Sequence, residues 1–155
     1  MNAVGFPLLG RLARSAALAA GMTLSACASG PPTAPDAVVL PSDALPSSVS
    51  AVTARWTKVR YAATGTATLS IQNGVARLDF SSDFSIERTP GPVVYLNTTN
   101  NPNSGTPLRV GALKSQGGAQ TYAFQVPAGV RYSWILIWCD PFNVAMAEAS
   151  IPPTP

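Results

Sequence analysis

The chain has 155 residues, a formal net charge of +3, no histidine and only two cysteines, Cys27 and Cys139. The absence of histidine excludes Ser-His-Asp and Cys-His nucleophilic sites and every histidine-ligated zinc, copper or haem site. Two cysteines are too few to build a structural zinc site or hold an iron–sulfur cluster.

The first 26 residues have the pattern of a secretory signal peptide. Arg11 and Arg14 are the only charges before Asp36, and small apolar residues fill positions 16–26. A basic region followed by a short apolar one is typical of such a leader, and the run is too short to span a membrane. Removal of residues 1–26 leaves a net charge of 8 − 7 = +1, so we expect no nucleic-acid partner.

The sequence LSAC at residues 24–27 resembles the lipobox of bacterial lipoproteins. In that family a diacylglycerol is attached to the cysteine, which becomes the first residue after cleavage. The resemblance therefore implies lipidation at Cys27, and two or more acyl chains give stable anchoring. Ala28 follows instead of aspartate, which implies sorting to an outer membrane, facing the periplasm. Lipidation also leaves Cys139 without a disulfide partner.

Residues 27–50 are rich in proline, serine and alanine and predict an extended tether between the membrane and a domain. Within it, the short apolar stretch AVVL at 37–40 either docks on the domain or stays loose. Residues 51–155 then form a single domain of a common size.

The stretch from residue 61 to residue 80 predicts a β-hairpin. Apolar and polar residues alternate over 61–72, and Asn73-Gly74 follows, the pair that favours a type I′ turn. A two-residue turn pairs apolar residues on one face and polar residues on the other. From the turn outward, the expected pairs are Gln72 with Val75, Ile71 with Ala76, Ser70 with Arg77, Leu69 with Leu78, Thr68 with Asp79 and Ala67 with Phe80.

Five further strands are expected near residues 92–97, 108–113, 120–126, 131–139 and 143–151. Short turns between short strands predict an all-β fold, a single sandwich or small barrel of about seven to nine mostly antiparallel strands.

The segment SWILIWC, residues 133–139, is apolar on both faces. Such a strand is expected to be central and covered on both sides. We expect Trp134 and Trp138 in the core, and Trp56 before the first strand, packed across the end of the barrel.

The acidic residues give a weak case for hydrolysis. Asp79, Asp83 and Glu87 lie close in sequence, and paired carboxylates can hydrolyse glycosides. However, the alternation places Asp79 on the polar face of the hairpin and the other two in a loop. We interpret all three as solvated and rank a hydrolase that uses Asp79, Asp83 or Asp140 last; no metal site is expected.

Three stretches, 63–69 (ATGTATL), 111–127 (GALKSQGGAQTYAFQVP) and 135–149 (ILIWCDPFNVAMAEA), together resemble the DM-thirteen domain family, which is associated with electron transfer. GPVVYL at 91–96 resembles the Gly-Pro segment of that family. The resemblance covers about residues 55–151 and implies an all-β domain outside the cytoplasm.

By this resemblance Cys139 matches the family's cysteine, which is proposed to act in redox transfer as a bare thiol or a haem ligand. Met146 is the only methionine after the leader and is a weak candidate for a second haem ligand. The sequence departs from the family pattern at Val93, where aspartate is expected, and at Tyr61, where histidine is frequent.

The residues themselves leave two interpretations of Cys139 open. A reactive thiol needs a nearby cation or helix N-terminus, whereas Cys139 lies between Trp138 and Asp140. Packing as a small buried hydrophobe is the simpler interpretation, yet an idle thiol is a liability in an oxidising compartment.

The function expected from these observations is a lipid-anchored domain of the cell envelope. It would act as a redox or electron-transfer accessory through Cys139, with a redox protein as partner, and not as a stand-alone enzyme. The alternative is a non-catalytic module that binds a protein or glycan through loops such as 97–107.

Overall fold

The computed structural model describes residues 30–41 and 51–155, and within them the fold is all-β. The predicted leader and residues 27–29 and 42–50 of the predicted tether, Cys27 among them, lie outside the described residues. Within those two ranges, no helix has the length and apolar character needed to cross a membrane.

Twelve antiparallel strands form two five-stranded sheets and a two-stranded ribbon, arranged as a sandwich that does not close into a barrel. In chain order they are β1 (Val39–Leu40), β2 (Ala51–Arg55), β3 (Thr57–Lys58), β4 (Ala63–Thr64), β5 (Thr66–Gln72), β6 (Val75–Phe80), β7 (Ser85–Ile86), β8 (Pro92–Asn97), β9 (Leu108–Ala112), β10 (Gln120–Gln125), β11 (Trp134–Cys139) and β12 (Val144–Ser150). The first sheet has the order β1-β10-β6-β5-β2, the second β3-β12-β11-β8-β9, and β4 pairs with β7. Eight strands have five or more residues, which agrees with the predicted number.

The β5–β6 hairpin has the predicted register at every pair. Asn73 and Gly74 have φ angles of 50° and 76°, as a type I′ turn requires. Leu69 and Leu78 face each other in the core. The single strand expected over 61–72 is divided into β4 and β5, because Gly65 adopts a φ of 82° and interrupts it.

The core lies between the two sheets and contains an aromatic cluster at one end. The rings of Trp56 and Phe80 are 5.0 Å apart and those of Phe80 and Phe84 are 4.7 Å apart. The expectation that Trp56 precedes the first strand is wrong, since β2 comes before it and pairs with β5. The small residues of β2 (AVTAR) carry a weak strand signal, which explains the error.

Strand β11 is central in the second sheet, between β12 and β8, and apolar on both faces, as predicted. Ile135, Ile137 and Cys139 belong to the core between the sheets. On the opposite face four buried residues form a separate cluster, which we call the outer cluster: Val93, Tyr95, Leu136 and Trp138.

The N-terminal residues 34–40, which we call the strap, dock on the domain, so AVVL is not loose. Ala34 packs on the outer cluster, and Val39–Leu40 pairs with β10 at the edge of the first sheet. Backbone hydrogen bonds run from Ala37 to Arg109 (2.8 Å), from Arg109 to Pro35 (2.8 Å) and from Gln125 to Val38 (2.9 Å). The strap therefore joins β9 of the second sheet to β10 of the first.

Tyr122 makes the stability of this core sensitive to alkaline pH. Burial raises the pKa of Tyr122 from 10.0 to about 12, so folding favours the neutral phenol. The stabilisation is complete below pH 10 and is lost as the pH rises towards 12. We expect the free energy of unfolding to fall there by about 1.4 kcal/mol per pH unit because of this group. Urea unfolding between pH 10 and pH 12 should show a shallower fall of the free energy of unfolding with pH in Tyr122→Phe than in the unaltered protein. An equal fall in both proteins would show that Tyr122 is not the group responsible.

Candidate redox site

Cys139 is the last residue of β11 and pairs with Pro92 on one side and Val144 on the other. It is the only cysteine among the described residues, and its thiol is free. The residue is 2% exposed, and Sγ donates a hydrogen bond to the carbonyl oxygen of Pro90, 3.0 Å away. The thiol therefore faces the core and is covered by backbone.

The chain reverses immediately after Cys139 through a 3-10 turn, Asp140–Phe142, and Asn143 ends the turn with a φ of 49°. Gly91 approaches this turn so closely that a Cβ there would lie 2.8 Å from the ring carbons of Pro141. Its φ of 64° also favours glycine. The contact between Gly91 and Pro141 thus holds the neighbouring Pro90 carbonyl over the thiol.

Met146 of β12 is completely buried, and the same short segment covers it. Its Sδ accepts a hydrogen bond from the hydroxyl of Thr89 at 3.3 Å. Residues 89–91, which we call the covering segment, therefore contact both sulfur-bearing residues that the sequence suggested. The structure brings Cys139 and Met146 to one side of the second sheet, beneath one stretch of backbone.

A surface depression of about 450 Å³ lies on the covering segment and is lined by Arg88, Thr89, Pro90 and Gln116. The amide nitrogen of Gln116 donates to the Thr89 carbonyl at 2.9 Å, while its Oε1 is buried without a partner. A molecule in this depression is separated from the sulfur atoms by the covering segment, which must move before it can reach them.

This arrangement does not fit a haem. Axial ligation requires a sulfur atom in direct contact with the iron, whereas the sulfur atoms of Cys139 and Met146 are buried, hydrogen-bonded to the covering segment and absent from the lining of the depression. Haem ligation by this pair stays a prediction that the geometry does not favour. Within residues 30–41 and 51–155, no three side chains of His, Cys, Asp or Glu are grouped so as to hold a metal ion.

The carboxylate of Asp140 interacts on the face of the sheet opposite to the thiol, although the two residues are adjacent in sequence. Its oxygens accept from the Tyr95 hydroxyl at 2.8 Å and from Arg109 Nε at 3.2 Å. Arg109 also donates to Asp36 of the strap at 3.1 Å. Asp140 is therefore paired with a cation.

These contacts perturb the titration of the two partners of Asp140. Burial and the hydrogen bond to Asp140 raise the pKa of Tyr95 well above its usual value. Burial alone would lower the pKa of Arg109, but its hydrogen bonds to Asp36 and Asp140 outweigh burial and raise it. Both groups keep their protons at neutral pH, as expected for a structural cluster around Asp140.

The other carboxylates do not converge on a hydrolytic site. Asp79 lies on the exposed face of the first sheet, where Arg77 donates to it at 2.8 Å and 3.0 Å. Glu87 accepts from the backbone of Ala62 at 3.0 Å. Asp79 lies in β6 of the first sheet and Asp140 in the turn that follows β11 of the second. Each is paired with an arginine, which favours the interpretation of Asp79 as a surface charge.

Sequence reasoning missed the covering segment. The run Pro-Gly-Pro at residues 90–92 signals a turn. Its contact with Cys139, however, depends on the pairing of β8 with β11, which joins residues more than 35 positions apart.

Residues 57–151, which include β3 to β12 and Cys139, match the family described as Electron transfer DM13. No curated protein matches the chain, and no solved structure matches it. Because the match covers well over half of the 155 residues, the chain belongs to the Electron transfer DM13 family.

Proposed function

We propose that this domain is an electron-transfer accessory of the bacterial cell envelope and that the thiol of Cys139 is its reacting group. Acyl chains on Cys27 hold it at the membrane, on the periplasmic side of an outer membrane. The observation that carries the proposal is the family match over residues 57–151. Its support in the fold is that Cys139 is the only cysteine of the described domain and lies one layer of backbone below a surface depression.

The chemistry open to a single thiol is exchange with a disulfide of a partner protein. The Cys139 thiolate attacks one sulfur of the partner's disulfide, a mixed disulfide forms, and the second partner sulfur leaves as a thiolate. The Cys139 sulfur is oxidised and the leaving sulfur is reduced, so the electrons balance. Because the described domain has no second cysteine, a dithiol of a second partner must attack the Cys139 sulfur. The first partner then leaves with both of its thiols reduced, the second partner closes its own disulfide, and Cys139 returns to the thiol.

The expected result is that Cys139→Ser keeps the fold and loses all reaction with disulfides. Serine retains a donor for the Pro90 carbonyl, so the covering segment keeps its contact. Reaction of the folded protein with a small aromatic disulfide, followed by the absorbance of the released thiolate, measures this. The Cys27→Ser background leaves Cys139 as the only thiol.

Gln116→Ala is the matched variant for access, because it removes the bond that holds Thr89 but touches neither sulfur. It is expected to speed the reaction of Cys139 with the disulfide. If Cys139 reacts no faster than the protein unfolds, both with Gln116 and in Gln116→Ala, then Cys139 only packs in the core and the redox proposal is wrong.

A further inference from the structure

The docked strap fixes the point at which the chain leaves the domain towards the proposed anchor. Backbone hydrogen bonds hold residues 35–38 against the domain, and Ala34 packs on the outer cluster. The first described residue, Gly30, is only three positions from Cys27. Three residues span at most about 10 Å. The point at which acyl chains are attached, Cys27, would thus lie within about 10 Å of Gly30.

Gly30 lies beside the loop that joins β8 to β9. A depression of about 520 Å³ is lined on one side by Gly30, Pro31 and Thr33 and on the other by residues 102–105 and Pro107. Within this loop, Asn103 donates to the side chain of Asn143 at 3.0 Å. Asn143 follows Phe142, whose ring is 65% exposed, one of few large apolar side chains of the described domain that face solvent. The exit of the chain and this exposed ring therefore adjoin the same loop.

We propose that this surface, which we call the exit face (residues 30–33, residues 102–107 and Phe142), lies against the bilayer that carries the acyl chains. The inference rests on the proposed lipidation of Cys27 and adds the orientation of the domain. A tether that ran free as far as β2 would let the domain rotate; the docked strap leaves too little chain for that.

The chemistry of the exit face suits a lipid surface. None of its residues is charged, and the nearby carboxylates of Asp36 and Asp140 are both paired with Arg109. One arginine shared by two carboxylates leaves a single net negative charge beside the exit face, so anionic headgroups are not attracted to it. Phe142 supplies an apolar group at the depth where interfacial side chains insert. Contact with the bilayer should accordingly depend on the anchor and little on salt.

The test compares two labelled positions on the acylated full chain in phosphatidylcholine vesicles that contain a lipid with a headgroup-attached quencher. A fluorescent label is attached to Phe142→Cys or, as the matched control, to Thr53→Cys, both in the Cys139→Ser background. Thr53 is exposed on the first sheet, where its hydroxyl bonds Thr68. We expect loss of fluorescence at position 142, at low and high salt, and none at position 53.

A third variant tests the strap itself. Ala37→Pro removes the hydrogen bond from Ala37 to the Arg109 carbonyl and should release the strap. The chain then stays on the vesicles, because Cys27 is untouched, but quenching at position 142 is lost. Undiminished quenching in this variant would show that the strap does not orient the domain.

The anchor and the orientation fail in different ways. Mass measurement and vesicle flotation report acylation, with Cys27→Ser as the negative control; a chain that is neither acylated nor floated refutes the anchor, and the orientation with it. An acylated, floated chain with equal quenching at both positions refutes the orientation alone. If the label at 142 is instead quenched by a second labelled copy, the exit face is a dimer contact and the membrane inference is wrong.

Discussion

Gly65→Ala is expected to lower the free energy of unfolding by about 2–5 kcal/mol, the sum of a strained backbone and an overpacked contact. Gly65 has a φ of 82°, and a Cβ there would lie 2.6 Å from Ser81 Oγ and 2.8 Å from the backbone of Phe84. Neither neighbour can easily move. Ser81 Oγ accepts from the backbone of Thr66, and Phe84 packs in the aromatic cluster with Trp56.

Gly118→Ala is the matched control for this change. Gly118 has a φ of 83°, but a Cβ there meets nothing within 4 Å. Gly118→Ala should lower the free energy of unfolding only by the cost of the strained backbone, about 1–2 kcal/mol. Urea unfolding of both variants separates the two contributions, and equal losses would mean that the β4–β5 junction adjusts to a side chain.

Asn97→Asp is expected to lower the free energy of unfolding by about 3–5 kcal/mol at neutral pH, as for other buried charges that lack a cationic partner. Asn97 is completely buried, and its Nδ2 donates to Thr99 Oγ1 and to the carbonyls of Asn101 and Ser104, at 3.1, 2.8 and 2.9 Å. A carboxylate in that position faces carbonyl oxygens with no hydrogen to donate.

Asn101→Asp provides the control in the same loop. The side chain of Asn101 acts as an acceptor, for the backbone and side chain of Asn103, and aspartate keeps both bonds. Its effect should stay within about 0.5 kcal/mol. The deficit of Asn97→Asp should also shrink in acid, where a protonated carboxyl regains a donor. Equal effects of the two changes would contradict the organising role of Asn97.

The sequence predictions that the structure confirms were based on local patterns. The β5–β6 register follows from alternation and an Asn-Gly turn, both contained within residues 66–80. The central position of β11 follows from the apolar character of both its faces. The all-β class follows from the number of such strands and the short turns between them.

Contacts between distant segments were beyond sequence reasoning. Arg109 pairs with carboxylates 73 and 31 positions away, and the thiol of Cys139 donates to a carbonyl 49 positions away. Such contacts depend on which strands are neighbours and on how the loops fold over them, and no local period encodes this. For the same reason the sequence predicted that Cys139 ends its strand but not that the Pro90 carbonyl covers its thiol.

The two strands that precede the family match occupy both edges of the first sheet. The match begins at residue 57, whereas β1 and β2 lie before it, beside β10 and β5. A fragment restricted to the match would lack β1 and β2. It would therefore expose unpaired N–H and C=O groups along β10 and β5, and such edges recruit strands from other molecules. We therefore expect the fragment to self-associate more readily than a chain that keeps β1 and β2, since these two strands cover β10 and β5.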